Sequence, residues 1–234
     1  MEEILTAGFP ELGLTIPPEG LAQYRAYYTM LEETNRVMNL TAITGEEESA
    51  HLHFLDCAAL LTAEDLSGKT VIDVGTGAGF PGIPLKIACP TLRLTLLDSL
   101  AKRVHFLEQV VDRLELTDTE LVLSRAEEAP GRLREQFDAA TARAVTRLDA
   151  LAELCLPLVR QGGVFLAMKG PDPQTEIREA EKAIRVLGGT VERVVPYTIP
   201  GTDVTHTVVV IRKMGITPKQ YPRRWAKIQK EPIR

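Results

Sequence analysis

The stretch VIDVGTGAGFPGIPLKI, residues 71–87, constrains the fold of this chain more than any other segment. It places four glycines within eight residues, directly after a run of β-forming residues. Glycine tolerates positive φ and has no Cβ, so this segment can turn sharply and allow a close approach to its backbone. The pattern predicts a strand that passes through a tight turn into a helix, which is where open α/β sheets bind their ligands.

Short apolar runs alternate with helical segments from Lys69 onward. The runs are KTVIDVG, LRLTLLD, ELVLS, FDAATA, GGVFLAM, GTVERVV and THTVVVI. Helices are expected at about 82–89, 100–115, 147–160 and 174–187. The first two runs are almost entirely apolar, which indicates strands covered on both faces. We therefore predict a doubly wound α/β domain over 67–213, with a seven-stranded, mostly parallel sheet and helices on both faces. The last two runs have no helix between them and could form an antiparallel hairpin at one edge.

Residues 1–66 are predicted to form a helical extension. Apolar and aromatic residues recur at helical spacing after Pro17 and Pro18, which predicts one amphipathic helix. Thr44 and Glu47 have the spacing of a capping box and predict the start of a second helix. No apolar run approaches the ~20 residues needed to cross a bilayer, and no secretory leader is visible, so a cytoplasmic location is expected.

The charge of the chain is unevenly distributed. The net charge is −5, but the segment 212–234 has eight Lys or Arg residues and one acid, which leaves about −12 on the rest. We interpret 214–234 as a basic C-terminal tail suited to nucleic acid, although a solubilising tail would have the same composition. The three cysteines are scattered, so we expect reduced, buried thiols and no metal site.

The glycine turn and two aspartates indicate a nucleotide-containing cofactor. Gly75, Gly77 and Gly79 follow the first predicted strand, and Asp98 ends the second, 23 residues after Gly75. An acid at that strand end accepts hydrogen bonds from both ribose hydroxyls. Two cofactors and a purely structural turn are compatible with this spacing.

NAD is the first of these cofactors, because Gly77, Gly79 and Gly82 satisfy G-x-G-x-x-G. Against NAD, two prolines at the start of the following helix offer no N–H to a pyrophosphate. Asp73 is better explained by a cofactor with a cation, and S-adenosylmethionine carries an ammonium and a sulfonium group. The order D-x-G-x-G-x-G is the usual first motif of methyltransferases that use it, so S-adenosylmethionine is favoured over NAD.

Eight motifs in order then carry a family resemblance. They are NLTAIT (39–44), HFLDC (53–57), IDVGTGAGFPGIPLKI (72–87), LLDSLAKRVHFLE (96–108), SRAEE (124–128), TARAV (141–145), AMKG (167–170) and TPKQYPRR (217–224). Over nearly its full length the chain resembles the bacterial guanine-N7 methyltransferases of small-subunit ribosomal RNA, also called glucose-inhibited division protein B or ribosomal RNA small subunit methyltransferase G. It departs from many relatives in the terminal WAKIQKEPI.

The resemblance implies a Rossmann-like class I methyltransferase fold with an N-terminal helical extension. It also implies methyl transfer from S-adenosylmethionine, with S-adenosylhomocysteine as product, to N7 of one guanine in 16S rRNA. Carried over residue by residue, the cofactor contacts correspond to Gly75, Phe80, Ala126, Glu127 and Arg143. Asp73, Gly77, Gly79 and Asp98 complete the expected cofactor-binding set. From the residues alone, Phe80 could equally be core, and Ala126 with Glu127 an ordinary helix start.

Arg143 and Lys169 are the expected catalytic residues. Arg143 ends the fourth predicted strand, where its guanidinium could stack on a base, bind phosphate or donate to O6 of guanine. Lys169 ends the fifth and could bind phosphate or the substrate carbonyl. A surface salt bridge and a snorkelling lysine are the alternatives for the two. Guanine N7 presents its lone pair outward and needs no general base, so the enzyme must mainly align the reacting atoms.

The expected RNA-binding residues are Asn39, His53, Arg147, Lys219, Arg223, Arg224 and Lys227. In the tail, cations alternate with Tyr221 and Trp225, a combination suited to phosphates and unstacked bases. His53 lies three residues from Asp56, so a buried polar pair is the alternative there. The expected partner is small-subunit rRNA or the 30S particle, with no obligate protein partner and a monomeric chain. An NAD-dependent oxidoreductase and a non-catalytic RNA-binding assembly factor are the rival functions.

Overall fold

A computed structural model describes residues 1–143 and 145–233; Ala144 of the TARAV motif and Arg234 of the tail lie outside the described residues. One seven-stranded sheet has the order β3-β2-β1-β4-β5-β7-β6. Its strands are β1 (Thr70–Val74), β2 (Arg93–Asp98), β3 (Thr119–Leu123), β4 (Phe137–Arg143), β5 (Val159–Lys169), β6 (Gly189–Thr198) and β7 (Thr205–Lys213). These overlap the seven predicted runs, but β5 begins at Val159, so the end of the helix predicted over 147–160 is wrong.

The sheet is parallel except where β7 enters it. The strands β1 to β5 pair in parallel, while β7 pairs antiparallel with both β5 and β6. The predicted edge hairpin of β6 and β7 is therefore confirmed. In β1, Asp73 is in register with Leu96 of β2 and with Thr141 of β4, so the carboxyl ends of these three strands meet at one edge of the sheet.

Helices cover both faces of the sheet. They are α1 (Glu2–Glu11), α2 (Gly20–Met38), α3 (Glu46–Ser49), α4 (Asp56–Ala58), α5 (Leu60–Ala63), α6 (Gly82–Ala88), α7 (Ala101–Arg113), α8 (Pro130–Leu133), α9 (Leu148–Cys155), α10 (Gln174–Val186) and α11 (Trp225–Lys230). Strand residues alternate between two buried clusters, as the period of two requires: Val71 packs with α2, α6 and α7, and Ile72 with α9 and α10. The α/β prediction is confirmed.

The N-terminal extension packs directly on the glycine turn. The hydroxyl of Tyr27 donates to the carbonyl of Ala78 at 2.6 Å, and that of Tyr24 donates to Pro84 at 2.9 Å. Both tyrosines are fully buried. Since two buried hydroxyls find their acceptors in the turn and in α6, the extension braces the turn.

The second predicted helix differs from its expectation at its start. The capping box is absent: Gly45 with φ 92° precedes α3, and no side chain caps the helix. Instead Glu46 binds the α-amino group of Met1 at 2.8 Å and Arg25 at 2.7 Å, which fixes the first turn by charge. A π-helical segment, Ala50–Leu55, follows α3.

The basic tail packs against the body of the protein for much of its length. Thr217 and Ile228 are buried, and α11 lies on α9. Two cations outside α11 hold the tail in place. The guanidinium of Arg134 donates to the carbonyls of Thr217, Pro218 and Tyr221. The buried Lys213 donates to Thr217 Oγ1 at 2.6 Å. Within the described residues, no helix is long and apolar enough to cross a membrane.

Candidate active site

A cleft of about 530 Å³ opens at the carboxyl ends of β1, β2 and β4. Its walls come from the glycine turn, the ends of β2 and β3, and the two short segments that begin at Leu40 and Val145. The sequence-predicted residues among its lining are Gly75, Gly77, Phe80, Asp98, Ala126, Glu127 and Arg143. The structure thus brings seven of the nine predicted cofactor-binding residues to one cleft.

The glycines of the turn serve different purposes. A Cβ on Gly77 would meet nothing within 4 Å, and its φ is +62°. A Cβ on Gly79 would lie 2.7 Å from both Ile83 Cγ1 and the hydroxyl of Tyr27. Gly77 therefore leaves room on the cleft side, whereas Gly79 leaves room for the N-terminal extension.

Most N–H groups of the turn already donate hydrogen bonds to acceptors within the protein. Those of Gly75 and Thr76 donate to the carbonyl of Leu97, and those of Gly79 and Phe80 donate to the carbonyl of Thr76. A pyrophosphate-binding turn needs such N–H groups directed at the ligand. The geometry therefore disfavours the dinucleotide alternative that the G-x-G-x-x-G spacing had left open.

Asp73 lies beneath the turn, fully buried. Its Oδ2 accepts hydrogen bonds from the Thr76 hydroxyl at 2.6 Å and the Gly82 N–H at 2.9 Å. Its Oδ1 has no partner among the described residues, and neither has Oγ1 of Thr141, its neighbour in β4. Burial raises the pKa of Asp73 to about 6 despite these two hydrogen bonds. A nearby cation would lower this pKa.

Asp98 borders the cleft and also shapes it. Its Oδ2 accepts the Gly77 N–H at 2.9 Å, and its Oδ1 accepts the Leu100 N–H at 2.9 Å. Arg103 approaches Oδ2 at 3.5 Å. Each carboxylate oxygen offers about two lone-pair directions, so Oδ1 of Asp98, which accepts only one hydrogen bond, can still accept another.

Phe80, His53 and Arg143 form a stacked cluster at the end of the cleft. The His53 ring stacks on Phe80 with a centroid distance of 4.1 Å, and the guanidinium of Arg143 lies 4.6 Å from the Phe80 centroid. Arg143 Nη2 donates to His53 Nδ1 at 2.9 Å, so Nε2 of His53 carries the proton and donates to Thr41 Oγ1 at 3.0 Å. Burial and Arg143 lower the pKa of His53 to about 3, so the ring is neutral.

Arg143 connects this cluster to Asp56. Its Nη1 donates to the carbonyl of Leu52 at 3.1 Å and lies 3.3 Å from Asp56 Oδ2. The other oxygen of Asp56 accepts from the Tyr197 hydroxyl and from His206 Nδ1, both at 2.7 Å. His53 and Asp56 are thus joined through Arg143 rather than to each other.

A second cleft of about 600 Å³ adjoins the first, and Arg143 lines both. The other residues that line it are Ile43, Leu52, Asp56, Met168, Lys169, Gly170, Val204 and His206. Lys169 is 12% exposed; its Nζ donates to the carbonyl of Thr146 at 3.1 Å and pairs with Glu176 at 2.9 Å. The two predicted catalytic residues therefore share this second cleft.

Comparison with known proteins identifies the family. A model of the GidB family, described as rRNA small subunit methyltransferase G, matches residues 20–202. This chain belongs to that family. Ribosomal RNA small subunit methyltransferase G of Lachnoclostridium phytofermentans is 46% identical over 229 residues, which cover 97% of this chain and 95% of the relative. The protein of the same name from Alkaliphilus metalliredigens is 48% identical, with 99% and 98% covered.

Solved structures outside the GidB family share its fold. Precorrin-6y C5,15-methyltransferase from Geobacter metallireducens has a TM-score of 0.51 and 17% identity, covering 76% of this chain and 92% of that one. TYW2 of M. jannaschii, solved in complex with AdoMet, has a TM-score of 0.51 and 15% identity, covering 63% and 70%. These likenesses confirm the predicted Rossmann-like methyltransferase fold.

The RNA-binding residues predicted for this GidB family member lie in different environments. Asn39 is exposed, with φ 48° at the end of α2, next to the cleft residues Leu40 and Thr41. His53 is buried, so its predicted contact with RNA is not direct. Arg147 is half exposed and pairs with Glu179.

In the tail, Lys219, Arg224 and Lys227 are exposed. Arg223 is different, because its guanidinium binds both oxygens of the buried Glu153, at 2.8 and 2.6 Å, and donates to the carbonyl of Glu231. These contacts assign Arg223 to holding the tail in place.

Sequence reasoning did not place Trp225 or His206 at the clefts, although it named Trp225 as an aromatic of the tail. Trp225 lines the first cleft although it belongs to the tail, and His206 lines the second at the start of β7. The only sequence signal for His206 is that it interrupts an apolar strand with a titratable group. For Trp225 the signal is a single large aromatic inside a basic segment.

Proposed function

We propose that this protein transfers a methyl group from S-adenosylmethionine to N7 of a guanine in 16S ribosomal RNA. Its membership of the rRNA small subunit methyltransferase G family supports the reaction class and the substrate. The observation that carries the site assignment is the pair of adjoining clefts with Arg143 as their shared wall. One cleft suits the methyl donor and the other suits the acceptor base.

The residues of the first cleft fit S-adenosylmethionine. Gly77 leaves its cleft side open, and Asp98 Oδ1 retains a lone pair for a ribose hydroxyl. Ala126 and Glu127 lie beyond β3, where the adenine would rest. The unpartnered Oδ1 of Asp73 supplies negative charge beneath the turn. When bound, S-adenosylmethionine supplies a sulfonium methyl group, whose C–S bond breaks as a nucleophile takes the carbon.

The chain itself must hold the guanine so that N7 faces the first cleft. Arg143 is rigid, because three acceptors from α4 and the segment before it fix its guanidinium. It can direct the Hoogsteen edge through O6. Lys169 is similarly fixed by Glu176 and Thr146, and its ammonium can contact a phosphate or the base carbonyl. In-line positioning of this kind supplies ~7–11 kcal/mol in favourable cases.

The exposed cations Lys219, Arg224 and Lys227 are proposed to bind phosphates outside the clefts. Each phosphate neutralised on single-stranded RNA adds ~0.7 to the negative salt slope of binding. Asn39 and Arg147 border the same side as the clefts and complete the proposed RNA surface. We propose that the protein acts as a monomer, which sedimentation in the presence and absence of RNA tests.

Labelled S-adenosylmethionine with 30S subunits or naked 16S rRNA, followed by mapping of the modified nucleotide, tests the function. Label at N7 of a single guanine is expected. The variant Asp98→Ala should lose methyl transfer while RNA binding persists, because Asp98 touches the donor cleft only. Label at an exocyclic amine or at cytosine, or no transfer to either substrate, would contradict the proposal.

A further inference from the structure

The second cleft contains an imidazole whose orientation is fixed from behind. His206 is one-third exposed, lines the cleft, and places Nδ1 2.7 Å from Asp56 Oδ1. Its Nε2 has no hydrogen-bond partner among the residues that the structure describes. The ring therefore holds one nitrogen against a buried carboxylate and leaves the other for a ligand in the cleft.

Asp56 is well placed to fix this ring. It is 3% exposed, and its Oδ1 also accepts the Tyr197 hydroxyl while its Oδ2 faces Arg143. A carboxylate only accepts, so Nδ1 of His206 must carry a proton. In the neutral ring Nε2 is then an acceptor that points away from Asp56.

We propose that Nε2 of His206 accepts a hydrogen bond from N1–H of the acceptor guanine and so selects guanine and stabilises its methylated form. This inference rests on the proposed guanine-N7 transfer. Arg143, at the wall shared with the donor cleft, lies on the side of N7 and O6. His206 lies on the far side of Asp56 from Arg143, where the Watson–Crick edge would fall.

The electron balance of the transfer gives this hydrogen bond a role. The N7 lone pair forms the new C–N bond, the C–S electron pair remains on sulfur, and the positive charge passes to the purine. The purine N1–H becomes more polar as that charge develops, so a hydrogen bond from it strengthens in the transition state. Asp56 stabilises the part of the charge that reaches the imidazole. Adenine has no proton at N1 and would bring two lone pairs together, which costs binding.

The charges around His206 determine how it responds to pH. Asp56 raises the pKa of His206 by hydrogen bonding and by charge, whereas burial and Arg143 lower it, and the net direction is upward. Tyr197 meets the ring edge-on and shares Asp56, and Lys169, in the same cleft, is paired with Glu176. Protonated His206 can only donate, so the proposed contact is lost as the pH falls through its pKa. His53, with a pKa of about 3, cannot produce this effect.

The test is the pH profile of kcat/KM for transfer to 30S subunits. His206→Ala should lower kcat/KM about 10- to 100-fold at pH 8, as expected for one hydrogen bond to a developing charge. It should also remove the acid limb that is expected in the wild-type profile. The variant His206→Gln, whose amide oxygen can accept N1–H, should recover part of the rate without the acid limb. The exposed His105, which is paired with Glu108 on α7, gives the matched control His105→Ala, for which no change is expected.

Binding of S-adenosylmethionine should be unchanged in both His206 variants. A wild-type rate and acid limb in His206→Ala would overturn the inference; if that variant fails to fold, the same outcome in His206→Gln overturns it. An rRNA fragment with N1-methylguanosine at the mapped acceptor should slow the wild type but slow His206→Ala no further, because that variant has already lost the contact with N1–H; an equal slowing of both also overturns it. Absence of transfer by the wild type would instead refute the proposed function.

Discussion

Replacing Arg223 by alanine should destabilise this protein much more than replacing its neighbour Arg224. Arg223 is 17% exposed and binds both carboxylate oxygens of Glu153, which is 1% exposed. Its removal leaves the buried carboxylate without a counter-charge and with only the backbone N–H of residue 223, at 2.8 Å, as a donor from the tail. Loss of the charged partner of a buried group costs about 3–5 kcal/mol. Arg223 keeps some solvent access, so we expect about 3 kcal/mol. Arg224 is exposed, and its replacement should alter the free energy of unfolding by less than about 0.5 kcal/mol.

The assays are urea unfolding and thermal unfolding of the two variants with the wild type. For a chain of this length 1 kcal/mol shifts Tm by about 2–4 °C, so Arg223→Ala should melt roughly 6–12 °C lower. The salt dependence of RNA binding should rank the two variants in the opposite order. Arg224→Ala should flatten the salt slope of RNA binding by about 0.7 and leave Tm unchanged. Equal stabilities for the two variants would refute the reasoning that Arg223 and Glu153 anchor the tail.

Three further predictions concern the turn and its neighbours. Gly77→Ala should weaken binding of S-adenosylmethionine, measured by calorimetry, and should lower the free energy of unfolding by about 1–2 kcal/mol because residue 77 has a positive φ. Gly79→Ala should lower the free energy of unfolding further, because its Cβ would meet Ile83 and Tyr27. Asp73→Asn should weaken cofactor binding but should not lower the free energy of unfolding at pH 8. The pKa of Asp73 is raised to about 6 in the folded protein, so the wild type loses up to about 3 kcal/mol of unfolding free energy as the pH rises from 4 to 6, and the variant does not. His53→Gln should flatten the fall in stability between about pH 6.5 and pH 3, because the native ring resists protonation. Urea midpoints across pH check both pH predictions, and unchanged slopes contradict them.

The strands and the glycine turn were predictable because their causes are local. Seven apolar runs with period-two or fully buried patterns lie where the strands are, and the turn follows β1. What the local pattern could not show was the direction of each side chain. Asp73 was expected to face a ligand cation, but Thr76 and Gly82, within nine residues of it, already hold one of its oxygens under the turn.

The roles that the sequence left hidden depend on contacts across long separations. Arg223 and Arg224 are equivalent in composition, and only a glutamate 70 residues earlier distinguishes them. His206 and Tyr197 meet Asp56 across 150 and 141 residues. The hydrophobic pattern of a single strand or helix does not predict such pairs, because a different polar residue at either position would fit the same pattern.

The polar network around Arg143 includes the N-terminal extension in the proposed active site. Thr41, His53 and Asp56 all belong to the extension, and each fixes a group at the wall shared by the two clefts. Without them Arg143 would lose its side-chain acceptors while remaining buried beside Phe80, at a cost comparable to that of an unpaired buried charge. The space above Gly79 would also lose Tyr27, which fills it. The α/β domain alone therefore contains the glycine motif, but we expect that it cannot maintain the geometry proposed to join donor to acceptor.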